Sequence, residues 1–194
     1  MNPASGESGS AGAAGRCLLQ DVQRLEDVEQ KHERIRQLLK VQQADAVLLQ
    51  DAASLAWFTA GVDLSRSQAE LCQVSIFVTE DARLFATNSV DAVQLFEREA
   101  FGLGFQLKQR EWHQPHAELV ADLCRSRRVL SDSGVDGTVP ASRQIQELRQ
   151  SLTSLEVERL RRLSRVLVHA VEVTAVGIRR GRTEADVAGE VGHR

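Results

Sequence analysis

Asp45–Gln50 reads DAVLLQ, and every residue between its polar ends is apolar. A strand with one wet face alternates apolar and polar residues, so an unbroken run of this length needs cover on both faces. Its flanks are patterned as helices. Upstream, Leu18, Val22, Leu25, Val28, Ile35 and Leu39, with His32 in the same stripe, predict an amphipathic helix from about Leu18 to Gln43. A break is expected near Asp27. Downstream, Asp51 caps a short helix through Phe58 and Gly61 closes it.

The rest of the first 150 residues repeats that alternation. Gln73–Thr79 and Arg83–Thr87 flank Glu80-Asp81-Ala82, which predicts a hairpin. Ser89 caps a helix with Val93, Phe96 and Ala100 on one face, ending at Gly102 or Gly104. Phe105–Trp112 alternates as a strand. Pro115 suits the first turn of a helix whose buried stripe is Ala117, Val120 and Cys124. Arg128–Ser131 is a short strand, SDSGVDGTVP a loop by composition, and Pro140 opens a helix through Gln150. Strands alternating with helices around one hairpin call for an α/β fold: a mixed β-sheet covered by helices on both faces.

Thr153–Arg194 is different. Leu152, Leu155, Leu160, Leu163, Leu167, Val171, Thr174 and Ile178 recur at helical spacing with Arg and Glu between them. Thr153 and Glu156 have the form of a capping box, Gly181 ends the helix, and Thr183 with Asp186 starts another. The expected division is therefore a disordered tail over 1–16, an α/β domain over 17–152, and the first helices of a second, incomplete domain over 153–194. Met1–Arg16 is rich in Gly, Ala and Ser and has no apolar centre of the kind a signal peptide carries.

Bulk properties exclude more than they assign. A net charge of −3 and a pI near 6.0 give no reason to expect nucleic acid or an anionic membrane as partner. No apolar run approaches the ~20 residues that span a bilayer. Cys17, Cys72 and Cys124 are far apart and odd in number, which fits reduced thiols of a cytoplasmic protein.

No catalytic centre is legible in the residues themselves. His113 and His116 flank Pro115 and read as a surface pair, because no third metal ligand is fixed beside them. Asp132, Asp136 and Gly137 lack the spacing and closing Glu of a calcium loop and make a turn. Gly102-Leu103-Gly104 follows a helix and lacks a third glycine, so it is no dinucleotide fingerprint. The arginines at 159, 161, 162 and 165 interleave with Glu156 and Glu158 as a solvated helix face.

Two strings carry a family resemblance. RRGRTEADVAGEV after an Arg- and Val-rich helix, LRRLSRVLVHAVEV, resembles the opening of the catalytic domain in the creatinase/prolidase/Xaa-Pro aminopeptidase group, the pita-bread metallopeptidases. DAVLLQDAASLAWFTAG resembles their N-terminal domain, with Trp57-Phe58-Thr59-Ala60-Gly61 in place of an aromatic-Leu-Thr-Gly segment. Ser54 stands where Asn is frequent, and Ala60 is inserted before the glycine. The resemblance implies the same mixed-sheet fold, and an N-terminal region that pairs subunits and narrows the active site of a metal-dependent Xaa-Pro peptidase. It implies a homodimer, a short peptide substrate, and two divalent metal ions (Mn, Co or Zn) in the full-length parent. The metal ligands would all follow Arg194, leaving no catalytic or metal residue in this chain. A creatinase-type amidinohydrolase, or a metal-less relative acting as a protein-binding module, shares the resemblance. The loop 62–69 is where relatives reach a substrate, which makes Trp57, Asp63 and Arg66 the substrate-contact candidates.

Overall fold

A computed structural model describes residues 11–62, 64–67, 70–71 and 73–193, with the backbone alone at 11–21, 65–67 and 70–71. The chain forms two compact units, Met1–Ser151 and Leu152–Arg194.

The first unit is built on a six-stranded mixed sheet. Its strands are β1 (Ala46–Leu49), β4 (Val74–Thr79), β5 (Arg83–Asn88), β6 (Gln106–Arg110), β7 (Val129–Ser131) and β8 (Val139–Pro140), in the spatial order β6-β5-β4-β1-β7-β8. β2 (Ser65–Ser67) and β3 (Glu70–Leu71) pair separately. All four residues of β1 are buried, as an unbroken apolar strand requires. It runs antiparallel to β4 and parallel to β7.

Registers sort the side chains onto two faces. Leu48 lies opposite Phe77, and Ser75 opposite Ala86. These residues share a face with Ala46, and α3 (His116–Cys124) packs there through Leu119, Val120, Leu123 and Cys124. Of the expected stripe Val120 and Cys124 are buried and Ala117 is exposed; Leu119 and Leu123 complete the buried face. Phe85 opposes Ile76 on the other face. There Phe85 stacks on Phe105 at 4.4 Å, and Phe105 meets Phe58 of α2 (Ala52–Phe58) edge-on at 5.9 Å.

α1 (Ala11–Gln42) covers that second face. It takes in Ala11–Arg16, which composition reads as tail; alanine is the best helix former, so the helix reaches further back than the stripe from Leu18 predicts. Nor does it break at Asp27. That residue is buried and meets Lys31 one turn on at 2.5 Å, and Lys31 also donates to the Trp57 carbonyl at 2.7 Å. His32 binds α1 to the hairpin: its Nε2–H donates to the Thr79 carbonyl at 2.8 Å, and its Nδ1 accepts from Arg83 at 3.3 Å. Burial holds the His32 pKa below the ordinary imidazole value.

The segment capped by Ser89 in the sequence reading is a π-helix, η1 (Val93–Glu99). Asn88 and Asp91 organise its start, with Asn88 accepting from the amides of Val90 and Asp91. Its wider winding brings the Ala100 amide to the Leu95 carbonyl at 2.8 Å. Leu95 is therefore the buried residue, while Val93 faces solvent. Pro140 ends β8 rather than opening a helix, and α4 (Ser142–Gln150) follows Ala141.

In the second unit, α5 (Ser154–Gly177) starts with both halves of the capping box: Thr153 accepts from the Glu156 amide at 3.2 Å, and Glu156 from the Thr153 amide at 2.8 Å. Thr183 and Asp186 repeat the device before α6 (Glu184–His193). Those hydrogen bonds lower the Asp186 pKa. Leu160, Leu163, Leu167 and Val171 are exposed. No helix among the described residues is long and apolar enough to cross a membrane.

Candidate functional site

β1 and β7 point their carboxyl ends the same way, and both are followed by an aspartate. Open α/β sheets gather polar groups at such ends because the strand backbones stop there with unpaired amides. Asp132, after β7, takes those amides: it accepts from Gln50 N–H at 2.9 Å and from Asp51 N–H at 3.1 Å. Asp51, after β1, caps α2 by accepting from Ser54 N–H at 3.2 Å. Arg149, at the end of α4, reaches across with Nη1 to Asp51 at 3.4 Å and to the Ser54 hydroxyl at 3.3 Å. These groups line a cleft of about 550 Å³ together with Ser133, Ser142 and Gln146.

From the cleft a hydrogen-bond chain runs through the sheet. Ser133 donates to the Gln50 side-chain Oε1 at 2.5 Å, and Gln50 Nε2 donates to the buried Ser75 hydroxyl at 3.0 Å. The Ser75 hydroxyl and His116 Nε2 are hydrogen-bonded at 2.8 Å. Burial lowers the His116 pKa. With Gln50 bonded to the serine and no third group among the described residues orienting the imidazole, the pair is a structural relay rather than an activated nucleophile.

The histidines at 113 and 116 part company. His116 turns inward to Ser75, whereas His113 is exposed and packs edge-on against Trp112. Among the described residues no three His, Cys, Asp or Glu side chains stand where they could hold one metal ion. Cys124 is a free, buried thiol whose pKa burial raises.

The substrate-contact candidates fall unevenly. Trp57 is buried in α2 against Phe58, with the Lys31 ammonium 5.8 Å from its ring centre; its indole Nε1 has no hydrogen-bond partner among the described residues. Arg66 lies in β2, where the backbone alone is described, and Asp63 lies outside the described residues. The sequence reading missed Gln50, Ser75 and Arg149. A serine in the otherwise apolar strand VSIFVT was the available signal, since a polar residue at a covered strand position must have a partner.

The backbone arrangement matches a definite set of solved structures. The Xaa-Pro dipeptidase of Bacillus anthracis superposes with a TM-score of 0.66 at 18% identity, over 84% of this chain and 47% of that one. This chain has the fold of the N-terminal half of the prolidase group. The dipeptidase PepE of Mycobacterium ulcerans matches with a TM-score of 0.65 at 13% identity, over 86% of this chain and 48% of its own. The X-Pro aminopeptidase of Thermotoga maritima MSB8 gives 0.60 at 20% identity, over 82% and 47%. The chain spans about half the length of the structures it matches. No family model matches the sequence, and no curated protein does.

Proposed function

We propose that this chain is the N-terminal region of a metal-dependent Xaa-Pro aminopeptidase or dipeptidase, serving to pair subunits and cap an active site. The fold match to about half of several Xaa-Pro peptidases carries the reading. It is supported by TEADVAGEV, which falls on α6 and its capping turn. The metal ions and their ligands belong, on this reading, to sequence beyond residue 194, where they would polarise the scissile carbonyl and activate water. What this chain contributes is position and selectivity: the segment around Arg66 reaches the substrate of a partner subunit, and its guanidinium holds a peptide carboxylate through paired hydrogen bonds. The working compartment is the cytoplasm.

The test is made in the full-length protein. Purified with Mn²⁺, it should release the amino-terminal residue from short Xaa-Pro peptides and lose that activity to a chelator. Arg66→Ala should raise KM, at a cost of about 1.5–3 kcal/mol in kcat/KM, as for lost hydrogen bonds to charged groups. Hydrolysis of creatine without peptide cleavage would replace the peptidase reading by the amidinohydrolase one. Absence of both activities would leave a binding module.

A further inference from the structure

The cleft at the ends of β1 and β7 is unexplained by a capping role, and its chemistry is specific. Its volume of about 550 Å³ lies within the 300–1,000 Å³ typical of small-molecule sites. Its lining is polar throughout, with no aromatic side chain to stack a sugar or a base. Its charges are Asp51, Asp132 and Arg149.

The closest approach among those charges is Arg149 Nη1 to Asp51, at 3.4 Å. Asp132 is spent on two backbone amides and acts as a fixed negative charge. Arg149 touches Asp51 and Ser54 only through Nη1, at 3.4 and 3.3 Å, longer than the ~2.7–2.9 Å of a closed charge-assisted bond. Its Nε and Nη2 donate to no group among the described residues, although the side chain is only 29% exposed. A bare anion would meet one guanidinium and two carboxylates and gain little. A bare cation would leave the free guanidinium donors unused. A molecule bearing both signs satisfies each side.

We propose that this cleft binds a small zwitterion, a free amino acid or a molecule of dipeptide size, with its carboxylate on Arg149 Nε and Nη2 and its ammonium on Asp51. The Ser133 and Ser142 hydroxyls and the Gln146 amide flank the remainder of the ligand and can bond its peptide or side-chain groups. This site is independent of the peptidase reading, because it is formed wholly within the first unit and needs no metal.

The experiment is an NMR titration of the 194-residue chain with L-alanyl-L-alanine, beside acetate and methylammonium as single-charge controls. Dialanine should shift the amide signals of Asp51, Ser54 and Ser133 and the Arg149 Nε–H signal, saturating in the millimolar range. Arg149→Gln and Asp51→Asn should each weaken binding at least about tenfold, or ~1.4 kcal/mol. Asparagine caps helices as well as aspartate, so the second variant removes the charge and keeps the fold. Shifts produced equally by acetate, unchanged binding in Asp51→Asn, or no shifts at about 50 mM dialanine (some −1.8 kcal/mol or weaker) would each overturn the proposal.

Discussion

The two units solve the same problem in opposite ways. In the first, the central strands have apolar cover on both faces: Leu48 and Phe77 pack with α3, and Phe85 and Phe58 meet through Phe105. In the second, α5 carries an equally regular apolar stripe, yet Leu163 is 62% and Leu167 55% exposed. Most helical stability in proteins comes from packing an apolar face, so with these leucines exposed α5 rests more on its capping box. Periodicity therefore says that a face exists, and only packing says whether it contributes stability.

The strongest way to break this contrast is Phe58→Ala. The ring is fully buried against Phe105 and Trp57, and its loss should cost about 3–5 kcal/mol in denaturant unfolding of the first unit. A cost below ~1 kcal/mol would mean that the first unit's core is no better packed than α5.

His32→Ala should come next, at about 1–3 kcal/mol, because it strands the Thr79 carbonyl and removes an Arg83 partner. It has a pH signature as well. The folded His32 pKa is lowered by burial, with Arg36 and Arg83 lowering it further and the Thr79 hydrogen bond and Glu29 opposing them. The unfolded chain thus binds the proton more readily. The stability tied to a neutral ring is complete above pH ~6.5 and is lost as pH falls from there through the folded value. His116 adds in the same direction. The variant should flatten the slope of unfolding free energy against pH just below ~6.5; an unchanged slope would remove His32 from the account.

Thr153→Ala tests the second unit at about 1 kcal/mol, the usual cost of a lost helix cap. Hydrogen exchange in α5 should quicken while β1 and β4 keep their protection. Smallest of all, Leu163→Lys should fall within about 0.5 kcal/mol, as an exposed substitution does. A loss above ~2 kcal/mol would show the stripe to be covered in solution.

What the sequence made legible follows the range of the interactions. The capping box at Thr153, the Asp51 cap and the hairpin around Glu80-Asp81-Ala82 rest on neighbours a few residues apart, and all three stand as expected. The mixed sheet with helices on both faces followed from the covered strand β1. The π-helical winding at Val93–Glu99 was invisible to a 3.6-residue period, which put Val93 where Leu95 belongs. The Ser75–His116 bond and the Arg149 reach to Asp51 join residues 41 and 98 apart, and nothing local to any of them announces the partner.

The position of β1 in the sheet also bears on how the chain is made. β1 sits between β4, about 30 residues later, and β7, about 80 residues later. While a ribosome extends the chain from β4 to β7, the strand AVLL can pair on one side only, and its other rim of amides and carbonyls stays open. A short, uncharged, wholly apolar rim is what nascent chains aggregate through. A transcript ending before Val129 would leave that rim permanently open, and its product would be a client for chaperones rather than a smaller domain.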